Sequence, residues 1–339
     1  MPSDYDDEPD YDAHCYACEC GLFDGDYEYL DDEPHCNDCY EARAANVVIH
    51  NWGYKPEPSF LSDDGKAYSM YQPLGGQVYR DTRGRNVSRS QLYMGFEQEV
   101  EHLGYDREEV AQLVLDVANK QRQTVYIKDD ASLDSGFEIV SHPGTLQFFT
   151  KYFDWSAISQ LSELNCKSWN RKTCGLHIHM SRNAFKDEKH LFKFLVLIYK
   201  NPKSMIQFAG RNSHFAKFDI DAFLNGYDGW GDKAKRSTSF MKMAKRESSN
   251  DDRYCAVNLR NSQTIELRFF RPSLLPSTTL AALQLCDAMF HYTEAMTTPE
   301  VMSKKALEFA QFAKWVEQQN DKYKILDERI KTRVSIGER

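Results

Sequence analysis

The first forty residues contain no lysine and no arginine, against fourteen aspartates and glutamates. So one-sided a stretch repels itself and stays solvated, so residues 1–13 are expected to be a disordered acidic lead. The remainder holds 37 acids and 42 bases, a balance of +5. That suits anionic nucleotides but is too weak to argue for DNA, so nucleic acid is not an expected partner. No apolar run approaches eighteen residues, which argues against a membrane-spanning helix, and the acidic start lacks the pattern of a signal peptide. A cytoplasmic protein is the expectation. The chain has no Walker phosphate loop and no Gly-rich dinucleotide fingerprint, so any nucleotide must be held by other means. It also shows no internal repeat, which sets aside solenoids and propellers.

The cysteines number nine, an odd count, and five of them fall between residues 15 and 39. Cys166, Cys174, Cys255 and Cys286 are scattered singly and read as small buried hydrophobes in a reducing compartment. Cys15-x2-Cys18 and Cys36-x2-Cys39 are separated by seventeen residues, the spacing of a four-cysteine zinc site. A segment of forty residues cannot bury much core, so a structural Zn²⁺ is expected to staple it, with Tyr16, Phe23, Tyr27 and Tyr29 as its cover. Cys20, His14 and His35 are alternative ligands, and a redox pair or free thiols is the alternative reading. The pattern resembles a LIM-like or treble-clef finger over residues 14–45, with a short helix from about Asp38. Four ligands close the ion off, so the role is structural. The finger and the acidic lead form the expected surface for a protein partner.

A hydrophobic content of 41% over 339 residues supports one large domain beside the small module. Pro and Gly mark a linker over residues 46–65. Residues 66–320 are expected to form the main domain and 321–339 a C-terminal tail. Residues 68–100 read as β-rich, with turns at Leu74-Gly75-Gly76 and at Asp81-Thr82-Arg83-Gly84. Asp106 and Glu109 predict a capped helix with Val110, Leu113, Val114 and Val117 on one side. Strands are expected at Thr124–Lys128 and Phe137–Ser141, and one helix from Pro143-Gly144 toward Leu164. Asp187 should start a helix with Leu191, Phe194, Leu195 and Ile198 inward, stopped before Pro202. Residues 225–252 read as a long loop, and helices over 278–296 and 299–319 close the domain. Irregular alternation of strands and helices predicts an α+β fold with a mostly antiparallel sheet.

Three distant segments share one design. Because side chains alternate along a strand, Glu97 and Glu99 share a face, as do His177 and His179, and Glu266 and Arg268. Phe96 and Val100, Leu176 and Ile178, and Ile265, Leu267 and Phe269 take the other face. Singly, Glu-x-Glu on a strand is more often a solvated edge than a ligand pair, His-x-His can be two hydrogen-bonded imidazoles, and Glu-x-Arg a surface ion pair. Placed in one sheet, they line a single site whose crowded carboxylates, Glu101 included, need cations. Glu138 follows an acidic turn, Asp129-Asp130, into an apolar strand, and a buried acid there needs a partner.

Taken in order, these segments resemble the amidoligase family of carboxylate-amine ligases, related to glutamine synthetase. The similarity spans about residues 90–290. It rests on Gly95-Phe96-Glu97-Gln98-Glu99, Asp130-Ala131-Ser132 with Gly136-Phe137-Glu138-Ile139-Val140-Ser141, Cys174-Gly175-Leu176-His177-Ile178-His179, and Asn258 with Thr264-Ile265-Glu266-Leu267-Arg268. The resemblance implies a curved antiparallel sheet flanked by helices. It also implies ATP- and Mg²⁺-dependent amide formation, through an acyl phosphate, between an amino-acid or peptide carboxylate and an amine. By that likeness Glu97, Glu99, Glu138 and Glu266 hold divalent metal, His177 and His179 lie beside it, and Arg268 meets the transferring phosphoryl group. Arg253, Arg211 and Asn258 are candidates on the nucleotide side. The chain departs from the family pattern at Gln98, Ala131 and Arg271-Pro272-Ser273, which bears on the acceptor loop. Two other readings remain: a metal-dependent hydrolase using His177 and His179 on Zn²⁺, and a non-enzymatic adaptor or assembly protein that kept the fold. Cys174 is set aside as a nucleophile because it lies on the face opposite His177.

Overall fold

In the cysteine-rich module, strands β1 (Ala13–His14) and β2 (Gly21–Leu22) form one hairpin. A second joins β3 (Tyr27–Leu30) and β4 (Glu33–Cys36), and a helix, Asn37–Ala44, follows. The computed structural model describes residues 11–23, 25, 27–30, 33–44, 47–80, 86–102, 104, 106–169, 171, 173–218, 255–302 and 305–335. The start of the acidic lead, the turn expected at Asp81-Thr82-Arg83-Gly84, the loop expected over 225–252, and Arg253 lie outside those residues.

The expected linker is laid against the body instead of standing clear of it. His50 donates its amide to the Ile127 carbonyl and accepts from the Asp129 amide, and Leu61 is fully buried. Phe60–Leu61 forms β5, paired with β6 (Ala67–Tyr68). Next comes a hairpin of β7 (Pro73–Arg80) and β8 (Asn86–Ser90). The turn expected at Leu74-Gly75-Gly76 is not there. Those residues lie inside β7, where the pairing register shifts between Pro73 and Val78, as glycine in a strand interior permits.

The main sheet is open and six-stranded, built from β9 (Met94–Glu101), β10 (Val125–Lys128), β11 (Gly136–Ser141), β12 (Leu176–Ser181), β13 (Val257–Asn258) and β14 (Thr264–Phe270). The spatial order is β10-β11-β9-β12-β14-β13, and every pair is antiparallel. With its helices this makes an α+β protein. One face of the sheet is core: Phe96, Val100, Ile127, Phe137, Ile139, Leu176, Ile178, Ile265 and Leu267 are fully buried. Helices Leu146–Lys151 and Pro276–Ala295 cover that side. Gln98 also points there, and the core tolerates it because its amide donates to the Ser273 carbonyl and accepts from the Thr279 hydroxyl.

Helix predictions fare well where the start signal is local. Asp106 caps Arg107–Ala118 by accepting from the amides of Glu108 and Glu109, and Asp187 caps Glu188–Lys200. On the first helix Val110 and Val114 are buried, but Leu113 is exposed, with Ala111 and Ala118 completing the inner face. Pro202 ends one helix and opens another, Pro202–Ala209, at the position where its missing N–H costs nothing. The single helix expected after Gly144 is broken into Leu146–Lys151, Ser156–Ser159 and a turn of 3-10 helix, Gln160–Ser162. Asp154 causes the restart, since its carboxylate accepts from both the amide and the hydroxyl of Ser156. The helix expected over 299–319 is likewise two pieces, Thr298–Met302 and Phe309–Gln318. No helix among the described residues is long and apolar enough to cross a membrane.

Residues 321–339, expected as a tail, begin inside the helix Asn320–Arg333, whose Tyr323, Leu326 and Ile330 are buried. Asp287 of Pro276–Ala295 pins it, accepting from the Tyr323 hydroxyl at 2.6 Å and pairing with Lys322 at 2.8 Å. Burial opposes ionisation there, but His291 and Lys322 outweigh it and hold the Asp287 carboxyl below its ordinary value. A depressed carboxylate contributes stability above about pH 4 that disappears as the pH falls through its folded value. Asp287→Ala is therefore expected to cost about 3 kcal/mol in urea unfolding at pH 7, and the gap from the parent should close on acidification. An unchanged gap at low pH contradicts this assignment.

Candidate active site

Sheet register does the assembly. Pairing of β12 with β9 sets His177 opposite Glu97, and pairing of β12 with β14 sets His179 opposite Glu266. Glu138 on β11 lies opposite Glu99 on one side and Lys128 on the other, and Asn258 lies opposite Glu266. All of these project from the face away from the helices, because their strand neighbours are committed to the core. Between Leu176 and Ile178 the ladder shifts, so that Arg268 and Phe269 together face the single residue His177. Such a bulge re-aims a side chain next to a site.

The contacts are short and shared. His177 Nδ1 lies 3.4 Å from Glu97 Oε2 and 3.5 Å from Glu266 Oε1, while its Nε2 is 3.9 Å from Glu99 Oε1. His179 Nε2 is 3.2 Å from Glu97 Oε1, and its Nδ1 is 3.3 Å from the Thr264 hydroxyl. Arg268 donates to Glu266 Oε1, and Asn258 Nδ2 donates to Glu266 Oε2 at 2.8 Å. Lys128 Nζ sits 3.2 Å from Glu138 Oε2. Glu99 accepts the Gly175 amide. A Cβ on Gly175 would stand 2.7 Å from Arg211 Nη1 and 2.9 Å from His177 Nε2, so only glycine leaves these groups room.

Three interlocking sets of ligand atoms, each within 4.8 Å of one another, result: Glu97, His179 and Glu266; Glu97, Glu138 and His177; and Glu99, Asp130 and Glu138. Each set could hold a cation. The buried Nε2 of His179 faces Glu97 Oε1 at 3.2 Å as an ion pair without good hydrogen-bond alignment, so both atoms point into the space a cation would take. Two imidazoles among five carboxylates make an oxygen-rich donor set, which suits hard divalent ions such as Mg²⁺.

Electrostatics point the same way. Burial is the largest influence on Glu138, and with Glu97 alongside it raises that carboxyl to about 8 despite Lys128. Burial also raises Glu99, more than His177 offsets. Burial would raise Glu97 and Glu266 too, but the histidines outweigh it and hold both down, Glu97 well below the usual carboxylate range. In return Glu97 overcomes the burial of His179 and raises it to about 9. Carboxylates and cations on this face are thus tightly coupled, the histidines gaining protons from the same glutamates that they hold ionised.

Of the residues singled out from sequence, Glu97, Glu99, Glu138, Glu266, His177, His179, Arg268 and Asn258 come together here, with Arg211 at the Gly175 edge. Glu101 does not join them. It instead accepts from the amides of Asp134 and Ser135 and from the Thr173 hydroxyl, holding two loops in place. Sequence reasoning missed Asp130, Lys128 and Gly175 as members. Asp130 had a signal in its acidic turn before the Glu138 strand, but only the register brings it to Glu99.

In the cysteine module the Sγ atoms of Cys15, Cys18, Cys36 and Cys39 lie within 4.8 Å of one another and could hold a metal ion. Cys18 and Cys36 are 3.8 Å apart, matching the ~3.8 Å sulfur separation of tetrahedral zinc thiolate. Cys20 lies 3.4 Å from Cys18 but outside that set. His35 Nδ1 is 2.9 Å from the Glu33 carbonyl, and the His14 ring packs on Tyr11. Burial opposes thiolate formation at Cys15, yet amides of Cys36, Cys18 and Ala17 lower it to about 5. Compared with known proteins, the chain matches no protein-family model and no curated protein.

Proposed function

We propose that this chain is an ATP- and Mg²⁺-dependent carboxylate-amine ligase of the amidoligase type, with a zinc-stapled finger ahead of its catalytic domain. One observation carries the reading: three overlapping, carboxylate-dominated ligand sets share one sheet face with Arg268 and Arg211. Phosphoryl transfer to a carboxylate needs charge neutralisation and in-line positioning more than a protein nucleophile, and acids bearing metal beside guanidinium groups supply it. Glu97, Glu99, Asp130, Glu138 and Glu266 would hold Mg²⁺, whose role is to screen the phosphate oxygens. Glu266 grips Arg268 and thereby aims it along the face. Gly175 keeps Arg211 and His177 close to Glu99. The carboxylate donor is an amino acid or peptide, and the amine attacks after activation.

The hydrolase reading fares less well on geometry. His177 and His179 fall into different ligand sets, each with two carboxylates, so no described set has the two-histidine character of a hydrolytic zinc site. A pure adaptor has no use for so many ionisable groups buried together on one sheet face, since each costs desolvation that its partners must offset.

The test is orthophosphate release from ATP with Mg²⁺, screened over amino-acid and peptide pools, with hydroxylamine added to trap the activated carboxylate. Release should require ATP, Mg²⁺ and a carboxylate together, and hydroxamate should accumulate. Product formation without ATP, or no turnover with any pool, defeats the ligase reading.

A further inference from the structure

Beyond the sheet face lies a cavity of about 590 Å³ lined by Lys167, Trp169, Arg271, Leu275, Arg329 and Arg333, among others. Its volume is that of a small-molecule site. Four of these residues are cations, and among the described residues none of the four has a carboxylate partner. Two of the guanidinium groups are held in advance. Arg271 donates Nε to the Trp169 carbonyl at 2.8 Å, with its carbon 5.5 Å from the centre of the Trp169 ring. Arg329 donates Nε to the Phe208 carbonyl at 3.1 Å and lies 5.3 Å from the centre of the Phe208 ring. In both, Nε is occupied while no described partner takes the terminal Nη groups, the fork that grips an oxyanion in two places. Arg333 Nη1 stands beside Gly210, next to Arg211. Burial, with Arg333 close by, brings Arg329 down to about 10, a sign that the cations crowd one another.

Trp169 is 57% exposed and Leu275 66%, large apolar surfaces at the rim of a cationic pocket. That pairing suits a ligand with an apolar or aromatic body and an anionic head. Trp169 lines this pocket, and Gly175, six positions later in the chain, donates to Glu99 on the metal-ligand face.

We propose that this pocket binds an aromatic or apolar compound bearing a phosphate or carboxylate group, with Arg271, Arg329, Arg333 and Lys167 on the oxyanion and Trp169 and Leu275 against its body. The assignment does not depend on the ligase reading. Isothermal titration of the full, zinc-loaded chain at low salt, with no Mg²⁺, tests it with phenyl phosphate, phthalate and inorganic phosphate. One of the two aromatic anions should bind, and Arg329→Gln and Arg333→Gln should each weaken it about tenfold. A preference for phenyl phosphate identifies a phosphate ester as the natural ligand, and one for phthalate identifies a carboxylate. Trp169→Leu should weaken the aromatic probe more than inorganic phosphate. Arg329 also packs on Phe208, so Arg333→Gln and Lys167→Gln serve should that variant not fold. No binding of either aromatic anion at millimolar concentration, or binding that stays within about twofold across the Arg333 and Lys167 variants, overturns the proposal. Binding without ATP turnover supports the pocket and defeats the ligase, whereas turnover without binding does the reverse.

Discussion

Glu97→Gln is expected to reduce ATP-dependent turnover by at least about 10³-fold and to remove more than one divalent-cation site at once. Glu97 belongs to two ligand sets, one with His179 and Glu266 and one with Glu138 and His177, as Glu138 belongs to the second and third. The substitution keeps the size of the side chain and loses only its charge, so the sheet should survive. The strand itself is secured by Phe96 and Val100, both fully buried on the other face. The removal should also release its two histidines, which Glu97 now holds by ion pairing at 3.4 and 3.2 Å. Calorimetric titration with Mg²⁺ or Mn²⁺ then measures the lost stoichiometry independently of any substrate. A Glu97→Gln chain with full cation stoichiometry contradicts the metal assignment, whatever its activity. Glu101→Gln provides the contrast, because its carboxylate serves the amides of Asp134 and Ser135 and should affect stability more than cation binding.

Cys36→Ser is expected to abolish zinc binding and unfold the finger while leaving the main sheet folded. The buried residues of the module among those described are few, namely Cys15, Leu22 and His35. Such a core offers far less than the ordering of some thirty residues costs. The binding energy of structural zinc, on the order of 10 kcal/mol or more, has to make up the difference. Hydrogen exchange should show protection lost across residues 13–44 and retained across β9, β12 and β14. Zinc release, followed with a chromogenic chelator, should fall from one ion per chain to none. Cys20→Ser should leave both measurements unchanged. Protection that persists in metal-free Cys36→Ser protein contradicts the staple.

Much of this was readable in the chain because the signals were local. Alternation in Phe96-Glu97-Gln98-Glu99 and Leu176-His177-Ile178-His179 marks a two-faced strand whatever lies beside it. Asp106 and Asp187 cap helices through amides two or three positions away. Signals from distant partners were invisible. The helix Phe309–Gln318 starts where it does because Asn201, more than a hundred residues earlier, accepts from the Phe309 amide and donates to the Leu307 carbonyl. Asp154 and Ser156 interrupted a helix that apolar spacing alone would continue. Glu101 carried the same alternation signal as Glu97 and Glu99, yet loop amides claimed it.

Residue order alone determined which side chains share a strand face, where the four zinc-spaced cysteines fall, and that the chain mixes helices with antiparallel strands. These follow from backbone geometry over a few residues, the alternation of Cβ directions and the reach of a capping carboxylate. Tertiary structure decided which strands neighbour which, and therefore that Glu97 meets His177, that Asp130 reaches Glu99 and Glu138, and that Glu101 is drawn elsewhere. Strand order and register are chosen by burial of the whole apolar face at once, a sum over residues far apart that no local window contains.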